Sequence, residues 1–299
     1  MNKLAVLFAA LPLTLGACLD TADESSVDQA ATGENGLHGA PEHVQLQKGE
    51  ARPSGGAGGS TLMTSHGGTV LTAVKTKAIF WGNWSNPGDK ISGLDSFFSG
   101  WGNSGMAGDS TEYSGTNGQV TATSTYLGHA FDTSTPPRKA LSTNSAVAEA
   151  CKITGNNPDP GAVYFIYTST GAGHVNYCAW HSWGTCSNGA LVQVAYMPNI
   201  DGIAGCNPGA PASLGQSEGL SALANVTSHE LSEAVTDPRG AGWFDSSGAE
   251  NGDKCAWAFQ GLETLSNGSK WYLQGEWSNA AYTAGTGYPN RNGEPGCLY

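Results

Sequence analysis

The sequence has few basic residues. Lys and Arg together number 13, against 25 Asp and Glu, so the formal net charge at pH 7 is −12. Binding to nucleic acid or to an anionic membrane surface relies on clustered positive charge. The composition therefore argues against both kinds of partner.

The sequence also lacks two short motifs that mark common protein classes. It has no G-x-x-x-x-G-K-[ST] phosphate loop, which leaves nucleotide binding without support. It has no C-x-x-C pair, so a zinc site built from cysteines is disfavoured. What the chain has instead is 43 Gly, nine Trp and ten Tyr. This composition is typical of a loop-rich, aromatic-rich extracellular domain.

The apolar run at the N-terminus is too short for a membrane-spanning helix. Residues 4–15 follow a single Lys and are almost entirely apolar, which predicts a signal peptide over residues 1–17. The L-G-A-C sequence ending at Cys18 resembles a bacterial lipobox, which implies cleavage before Cys18 and lipidation of its thiol. The protein is then exported as a monomer and lipid-anchored to the outer membrane or cell surface, its only membrane contact. The alternative is an ordinary signal peptide and a secreted protein.

The cysteine count agrees with export. The chain has seven cysteines, and assigning Cys18 to the lipid leaves an even six. Six cysteines in an oxidising compartment predict three disulfides. Proximity in sequence favours a bond between Cys178 and Cys186, and a bond between Cys255 and Cys297 would fix the C-terminus.

The chain divides into a low-complexity N-terminal part and one domain. Residues 18–62 have few large apolar side chains and end in a Gly-rich stretch, which predicts a flexible tether. A cleaved propeptide is the alternative for this segment. Residues 63–299 are enough for one sizeable core and are predicted to be the catalytic domain.

Hydrophobic periodicity predicts strands mixed with helices in this domain. The predicted strands cover residues 69–84, 119–127, 162–168 and 190–197. The predicted helices cover residues 91–101, 145–153 and 217–236, the last ending before Asp237-Pro238. We therefore expect an α+β domain with a mixed, mainly parallel sheet, one long helix, and a loop-rich, disulfide-bonded C-terminal part.

The long helix carries an unusual polar stripe. At 100° per residue, His229, Glu233 and Asp237 lie on one side, with Glu230 at the edge. The apolar stripe expected to face the core is formed by Leu220, Leu223, Ala224, Thr227, Leu231, Ala234 and Val235. The helix contains no Lys or Arg to balance its carboxylates. Carboxylates beside a single histidine indicate a bound cation.

The spacing within this stripe resembles that of zinc proteases of the H-E-x-x-H type. In those enzymes two ligands at i and i+4 bind zinc from one helix face, and the Glu after the first ligand acts on the attacking water. Here the pattern is H-E-x-x-E, so His229 and Glu233 are the predicted ligands and Glu230 the predicted catalytic base.

A catalytic zinc ion usually has three protein ligands. Glu250 lies 17 residues beyond Glu233, in a sequence that resembles the layout of the glutamate zincins. That resemblance implies that Glu250 is the third ligand and that Asp253 orients His229 from outside the ligand set. Asp237 is the second candidate ligand, and its simpler role is to end the helix. A solvated loop carboxylate is the simpler role of Glu250.

Taken together, residues 227–238, 242–245 and 250–257 resemble a group of secreted bacterial zincin-like proteins. The strand predicted near residues 73–84 and the segment 177–181 are distantly similar to the plant EXORDIUM, or phosphate-induced, protein family. The resemblance spans most of residues 67–299 and implies a zincin-like fold with a zinc-dependent peptidase site.

Three other histidines have roles that the sequence suggests. His174 and His181 flank Cys178 in a Gly-rich region. Either one is in position to donate a hydrogen bond to a developing oxyanion, or simply to pack beside a disulfide. His181 is the preferred catalytic candidate, and His129 is expected to be structural.

Two functions follow from these observations. The first is zinc-dependent endopeptidase activity on polypeptides at the cell surface. The second is a non-catalytic carbohydrate-binding or adhesion module with a structural metal site, for example one for calcium, in which exposed Trp and Tyr stack on sugars. A histidine ligand favours zinc, whereas an all-oxygen site favours calcium.

Overall fold

A six-stranded sheet in the order β1-β8-β9-β7-β3-β6 forms the centre of the computed structural model, which describes residues 43–50 and 61–299. Its strands are β1 (Val44–Leu46), β3 (Val74–Trp81), β6 (Ser124–Asp132), β7 (Ala162–Thr168), β8 (Tyr177–Thr185) and β9 (Leu191–Met197). The small two- and three-stranded sheets are built from β2 (Thr64–Ser65), β4 (Ser114–Gly115), β5 (Gly118–Gln119), β10 (Trp243–Phe244), β11 (Glu263–Thr264), β12 (Lys270–Trp271), β13 (Glu276–Trp277), β14 (Tyr288–Pro289) and β15 (Pro295–Leu298).

The helices are α1 (Lys90–Trp101), α2 (Gly105–Asp109), α3 (Thr143–Ile153), α4 (Glu218–Thr236), α5 (Asn251–Lys254) and α6 (Asn279–Ala284). Short 3₁₀ turns lie at Ser110–Glu112, Ala204–Cys206 and Ala212–Leu214. Within the described residues, none of the helices is long and apolar enough to cross a membrane.

The central sheet is mainly parallel. Strands β6, β3, β7 and β9 run parallel to one another, whereas β8 is antiparallel to β9 and β1 is antiparallel to β8. This confirms the predicted mixed α+β class and the predicted mixed, mainly parallel sheet. The one antiparallel edge places β1 and β8 beside the long helix α4.

Strand β7 shows why the sheet is covered on both faces. All of its residues are buried, as in parallel strands that have helices on either side. Val163, Phe165 and Tyr167 belong to the core shared with α1 and α4. Tyr164 and Ile166 point the other way, into the core shared with α3. The alternation follows from the two-residue repeat of a strand.

Helix α4 begins and ends at capping residues. The Ser217 hydroxyl accepts a hydrogen bond from the Leu220 N–H at 3.0 Å, which satisfies one of the unpaired donors of the first turn. At the other end the Asp237 carboxylate accepts from the Ala241 and Gly242 N–H groups at 2.8 and 2.7 Å. Asp237 therefore closes the turn after the helix, its simpler predicted role. From Leu220 to Thr236 the helix is buried on all sides, so its polar stripe faces the interior.

Most predicted elements agree with the structure within two residues. This holds for α1, α3, α4, β7 and β9. Strand β3 is shorter than predicted, and β6 begins five residues later than predicted, at Ser124. Strand β8 was not predicted. Its apolar residues are interrupted by His181, Ser182 and Gly184, which weakens the strand signal.

Three disulfides form, as predicted, joining Cys151 to Cys186, Cys178 to Cys206, and Cys255 to Cys297. The predicted pairing of Cys255 with Cys297 is confirmed. The predicted bond between Cys178 and Cys186 is wrong, because these residues lie at opposite ends of extended strand β8. Eight residues of strand span roughly 26 Å, far beyond the reach of a disulfide.

The folded domain also begins earlier than predicted. Residues 43–50 fall inside the predicted tether or propeptide, yet β1 pairs with β8 and its Gln45 side chain is fully buried. The correction is that this stretch belongs to the sheet and is not a free tether. The predicted signal peptide and Cys18 lie outside the described residues.

Candidate metal centre

Helix α4, strand β8, helix α5 and the residue before β1 meet in one buried cluster. We call it the histidine–carboxylate cluster, and its members are His43, His181, His229, Glu230, Glu233, Glu250 and Asp253. His181, His229, Glu230, Glu233 and Glu250 are each at most 1% exposed. All the predicted site residues within the described chain are therefore brought together.

The first half of the cluster lies between α4 and α5. Nε2 of His229 is 3.0 Å from Oε1 of Glu233, one helical turn later, and 3.6 Å from Oδ1 of Asp253. The Asp253 N–H donates to Oε1 of Glu233 at 2.9 Å. These three side chains can offer ligand atoms within 4.8 Å of one another. Asp253, predicted to lie outside the ligand set, thus directly adjoins the two α4 residues.

The second half of the cluster centres on Glu250. Its Oε2 is 2.6 Å from Nδ1 of His43, and its Oε1 is 3.9 Å from Nε2 of His181. These three residues form a second group with ligand atoms within 4.8 Å. His181 joins the two halves, because its Nδ1 also lies 3.6 Å from Oε2 of Glu233. The predicted third ligand Glu250 is therefore in the cluster, but its nearest histidines are His43 and His181.

Glu230, the predicted base, is in contact with β8 and β1. Its Oε2 is 3.1 Å from Nδ1 of His181, and its Oε1 accepts a hydrogen bond from the Gln45 N–H at 3.3 Å. Nε2 of His181 lies 3.4 Å from the Asp237 carbonyl oxygen. His181 is thus a direct neighbour of the predicted base, which the sequence alone did not show.

Local backbone geometry explains how α5 reaches α4. Glu250 and Asp253 form a reciprocal capping box at the start of α5, in which Oδ2 of Asp253 accepts from the Glu250 N–H at 3.1 Å. Between them, Gly252 packs directly on the site. A Cβ atom at that position would lie 3.0 Å from Nδ1 of His229 and 3.1 Å from Oε1 of Glu233. Glycine therefore allows the close approach of the two helices.

Two residues of the site environment were missed by the sequence analysis. Gln274 donates from Nε2 to the Gly252 carbonyl oxygen at 2.8 Å, and the same atom is 2.9 Å from Nδ1 of His229. His43 comes from the segment assigned to a tether. Both residues are far from His229 in sequence and belong to no recognisable motif, so only the tertiary structure places them.

The cluster has an excess of buried carboxylates. Burial disfavours charged imidazoles, but Glu233 outweighs this effect and raises the pKa of His229 to about 10, as Glu250 does for His43. Burial raises the pKa of Glu230 to about 8 and that of Glu250 well above its ordinary value. Burial and the neighbouring His43 lower the pKa of His181 to about 4. Additional positive charge at this place would stabilise the ionised carboxylates.

The remaining histidine candidates lie outside the cluster. His174 is exposed in the loop before β8. His129 lies on β6, where its Nδ1 is 2.9 Å from Oδ1 of Asp95, consistent with its predicted structural role.

Residues 215–219 have the G-x-S-x-G spacing of a nucleophile elbow. Ser217 is the cap of α4, and its hydroxyl donates to Oδ1 of Asp89 at 2.6 Å. It follows a 3₁₀ turn rather than a strand, so the elbow geometry is absent at this described position.

Comparison of the chain with models of protein families, with curated proteins and with solved structures finds no match. The functional assignment therefore depends on the geometry of the histidine–carboxylate cluster.

Proposed function

We propose that the protein is a zinc-dependent endopeptidase with a zincin-like catalytic domain that acts on polypeptides outside the cell. One observation carries the proposal. His229, Glu230 and Glu233 project from a single buried helix toward His181 of β8 and the acidic residues of α5. This arrangement combines a metal-binding pair with a neighbouring carboxylate base, as peptide hydrolysis requires.

The residues present fit a zinc ion. Imidazole nitrogen with carboxylate oxygen is a common zinc donor set, whereas calcium takes oxygen alone. We propose His229, Glu233 and Glu250 as ligands. Of these, His229 and Glu233 share one group of converging ligand atoms, together with Asp253, whereas Glu250 belongs to the neighbouring group with His43 and His181. Oε1 of Glu250 is buried and has no hydrogen-bond partner among the described residues, which makes it available to a cation. Asp253 is assigned as a positioning residue because its Oδ2 already caps the Glu250 N–H.

Each residue of the site has its own role in the proposed hydrolysis. Zinc held by these residues would supply a Lewis acid for the attacking water and the substrate carbonyl. Glu230 accepts a proton from the water as the new C–O bond forms. It delivers that proton to the amide nitrogen as the C–N bond breaks. Nδ1 of His181 lies 3.1 Å from Oε2 of Glu230 and accepts a hydrogen bond from Glu230 when that carboxyl is protonated, while the Nε2–H of His181 donates a hydrogen bond to the developing oxyanion.

Metal content and turnover together test the proposal. His229→Ala is expected to abolish zinc binding, measured by elemental analysis of the purified chain. Glu230→Gln is expected to retain zinc and to lower peptide hydrolysis by at least about 100-fold. Glu218→Gln, at an exposed position in the first turn of the same helix, is the matched control and keeps both properties. Full activity in Glu230→Gln would contradict the proposal.

The alternative carbohydrate-binding or adhesion module, with a calcium site, draws on the many aromatic residues. The largest fully buried side chains include Trp101, Trp180, Trp271 and Trp277. These rings build the core and are not exposed for stacking on sugars, and Trp81, Trp84, Trp183 and Trp243 are only partly exposed. We therefore favour the peptidase.

Localisation follows the same proposal. Three disulfides are expected in an oxidising compartment, which supports export. A lipid on Cys18 would hold the monomeric enzyme at the outer membrane or cell surface, and secretion is the alternative. Metabolic labelling with a radioactive fatty acid, lost in Cys18→Ser, distinguishes the two.

A further inference from the structure

The proposed catalytic residues are closed off from solvent. His229, Glu230, Glu233 and Glu250 each have 0% exposure. An endopeptidase must admit an extended polypeptide to such residues, so part of the present structure has to move before substrate enters. The part that has to move is the segment that covers these four residues.

That segment consists of residues 43–50, which we call the cover segment. The backbone N–H of His181 donates to the His43 carbonyl oxygen at 3.1 Å. Val44 and Gln45 pair with Trp180 and Ala179 in antiparallel register. The cover segment therefore adds an edge strand to β8, in contact with α4.

The main chain of the cover segment reaches the proposed catalytic base. The Gln45 N–H donates to Oε1 of Glu230 at 3.3 Å. Further along, the Leu46 carbonyl oxygen accepts from the Trp257 indole at 2.9 Å. These contacts use backbone groups that every polypeptide has, apart from proline nitrogens. We call the surface under the cover segment, formed by the edge of β8 together with Glu230 and Trp257, the groove. It is thus suited to bind an extended peptide by strand addition.

Side chains of the cover segment fill the rest of the groove. The His43 imidazole lies against Glu250, with its ring centroid 4.8 Å from that of His181. The Gln45 amide donates to Oε1 of Gln274 at 2.8 Å and is fully buried. The cover segment therefore occupies the space beside the proposed base Glu230 and the space beside the proposed ligand Glu250.

We propose that residues 43–50 are a built-in inhibitor seated in the peptide-binding groove beside β8, and that the substrate is an extended polypeptide that takes the same place. The inference rests on the proposed peptidase function. It goes beyond that function by naming the substrate-binding edge and the segment that blocks it.

No disulfide ties the cover segment to the rest of the domain. The segment contains no cysteine, and the three disulfides join residues between Cys151 and Cys297. Its described contacts with the domain are noncovalent. Besides β1 pairing and the hydrogen bonds described above, the Gln47 and Lys48 backbone N–H groups donate to the Asn176 and Gly205 carbonyl oxygens, and the Lys48 ammonium lies over the Trp257 ring. A cut within residues 51–60 would sever the chain without interrupting any described strand or helix.

The first experiment inserts the recognition site of a specific protease between Gly56 and Ala57 of the full chain. After cutting and native gel filtration, hydrolysis of an unfolded protein substrate is expected to rise at least about tenfold over the uncut protein.

As a second route, Gln45→Pro in the intact chain removes the backbone N–H that donates to Glu230 and is expected to raise the rate of hydrolysis as well. Glu218→Gln, at an exposed position outside the cover segment, is the control expected to keep the wild-type rate.

The second experiment measures binding without turnover. A fluorescent peptide of sequence HVQLQKGE, corresponding to residues 43–50, is added to the cut protein and followed by anisotropy. The peptide is expected to bind and to inhibit hydrolysis, whereas the same peptide with Pro in place of Gln45 is not.

The outcomes separate the two proposals. Equal hydrolysis by cut, uncut and Gln45→Pro proteins would contradict the proposal that residues 43–50 are an inhibitor, and the proposed peptidase function would remain supported. Peptide binding by a cut protein that hydrolyses no substrate would support the groove and its occupant, and the proposed function would fail. A cut protein that neither gains activity nor binds the peptide would overturn the inference.

Discussion

Gln274 contacts His229 from the side opposite Glu233. Its Nε2 lies 2.9 Å from Nδ1 of His229, while Oε1 of Glu233 lies 3.0 Å from Nε2. The imidazole is thus fixed between an amide and a carboxylate. A zinc ligand that binds through Nε2 carries its proton on Nδ1. In that state the Gln274 amide must rotate so that its oxygen accepts this proton.

This relationship leads to a prediction for metal affinity. Gln274→Leu removes the partner of Nδ1 and is expected to weaken zinc binding by about 10- to 100-fold, the usual effect of losing such a contact. Gln274→Glu keeps an acceptor and is expected to retain most of the affinity. Competition with a chromophoric chelator measures both variants. Equal affinity of Gln274→Leu and the wild type would show that Gln274 does not orient the ligand.

The same residues show what the sequence predicted and what it did not. His229, Glu230 and Glu233 could be found because a helix places residues at i, i+1 and i+4 in known relative directions. Gln274 and His43 have no such relation to His229, since their approach depends on loop paths and on pairing of β1 with β8. Helix α4 was predicted nearly to the residue, whereas β8 was missed because polar residues and glycine interrupt its pattern.

A second prediction concerns the close packing of α5 on α4. Gly252→Ala places a methyl group about 3.0 Å from Nδ1 of His229. Overpacking of this kind typically destabilises a protein by about 1–3 kcal/mol. Gly108→Ala in α2 is the matched control, because a Cβ atom there meets nothing within 4 Å. Thermal unfolding of chelator-treated proteins is expected to show a lower Tm only for Gly252→Ala. The packing argument fails if the two variants melt alike.

A third prediction separates stability from site geometry. Cys255 directly follows α5, and its disulfide to Cys297 closes a separation of 42 residues, compared with 35 for Cys151 and Cys186. By loop entropy, replacing either pair with serines costs about 4 kcal/mol of unfolding free energy. Only loss of the Cys255–Cys297 bond is expected to weaken zinc binding as well, because it loosens the helix that bears Glu250 and Asp253. Equal zinc affinity in the two double variants would contradict this link.

The last prediction concerns the pH dependence of stability. Burial, together with Glu263 and Glu112, raises the pKa of Asp109 to about 8 from an ordinary value of 3.8. The folded state therefore binds a proton that the unfolded state releases between about pH 4 and pH 8. In this range the contribution of Asp109 to stability falls as pH rises, and it is lost above the folded pKa.

Asp109→Asn removes this titration while keeping the side-chain size. We expect the variant to gain stability relative to the wild type as pH increases from 5 to 8. Urea unfolding of the two chelator-treated proteins at several pH values measures the difference in their free energies of unfolding. The histidine–carboxylate cluster titrates in both proteins, so its contribution cancels in this difference. A constant difference across this range would mean that Asp109 titrates alike in the folded and unfolded states. Burial beside two other carboxylates would then not set its proton affinity.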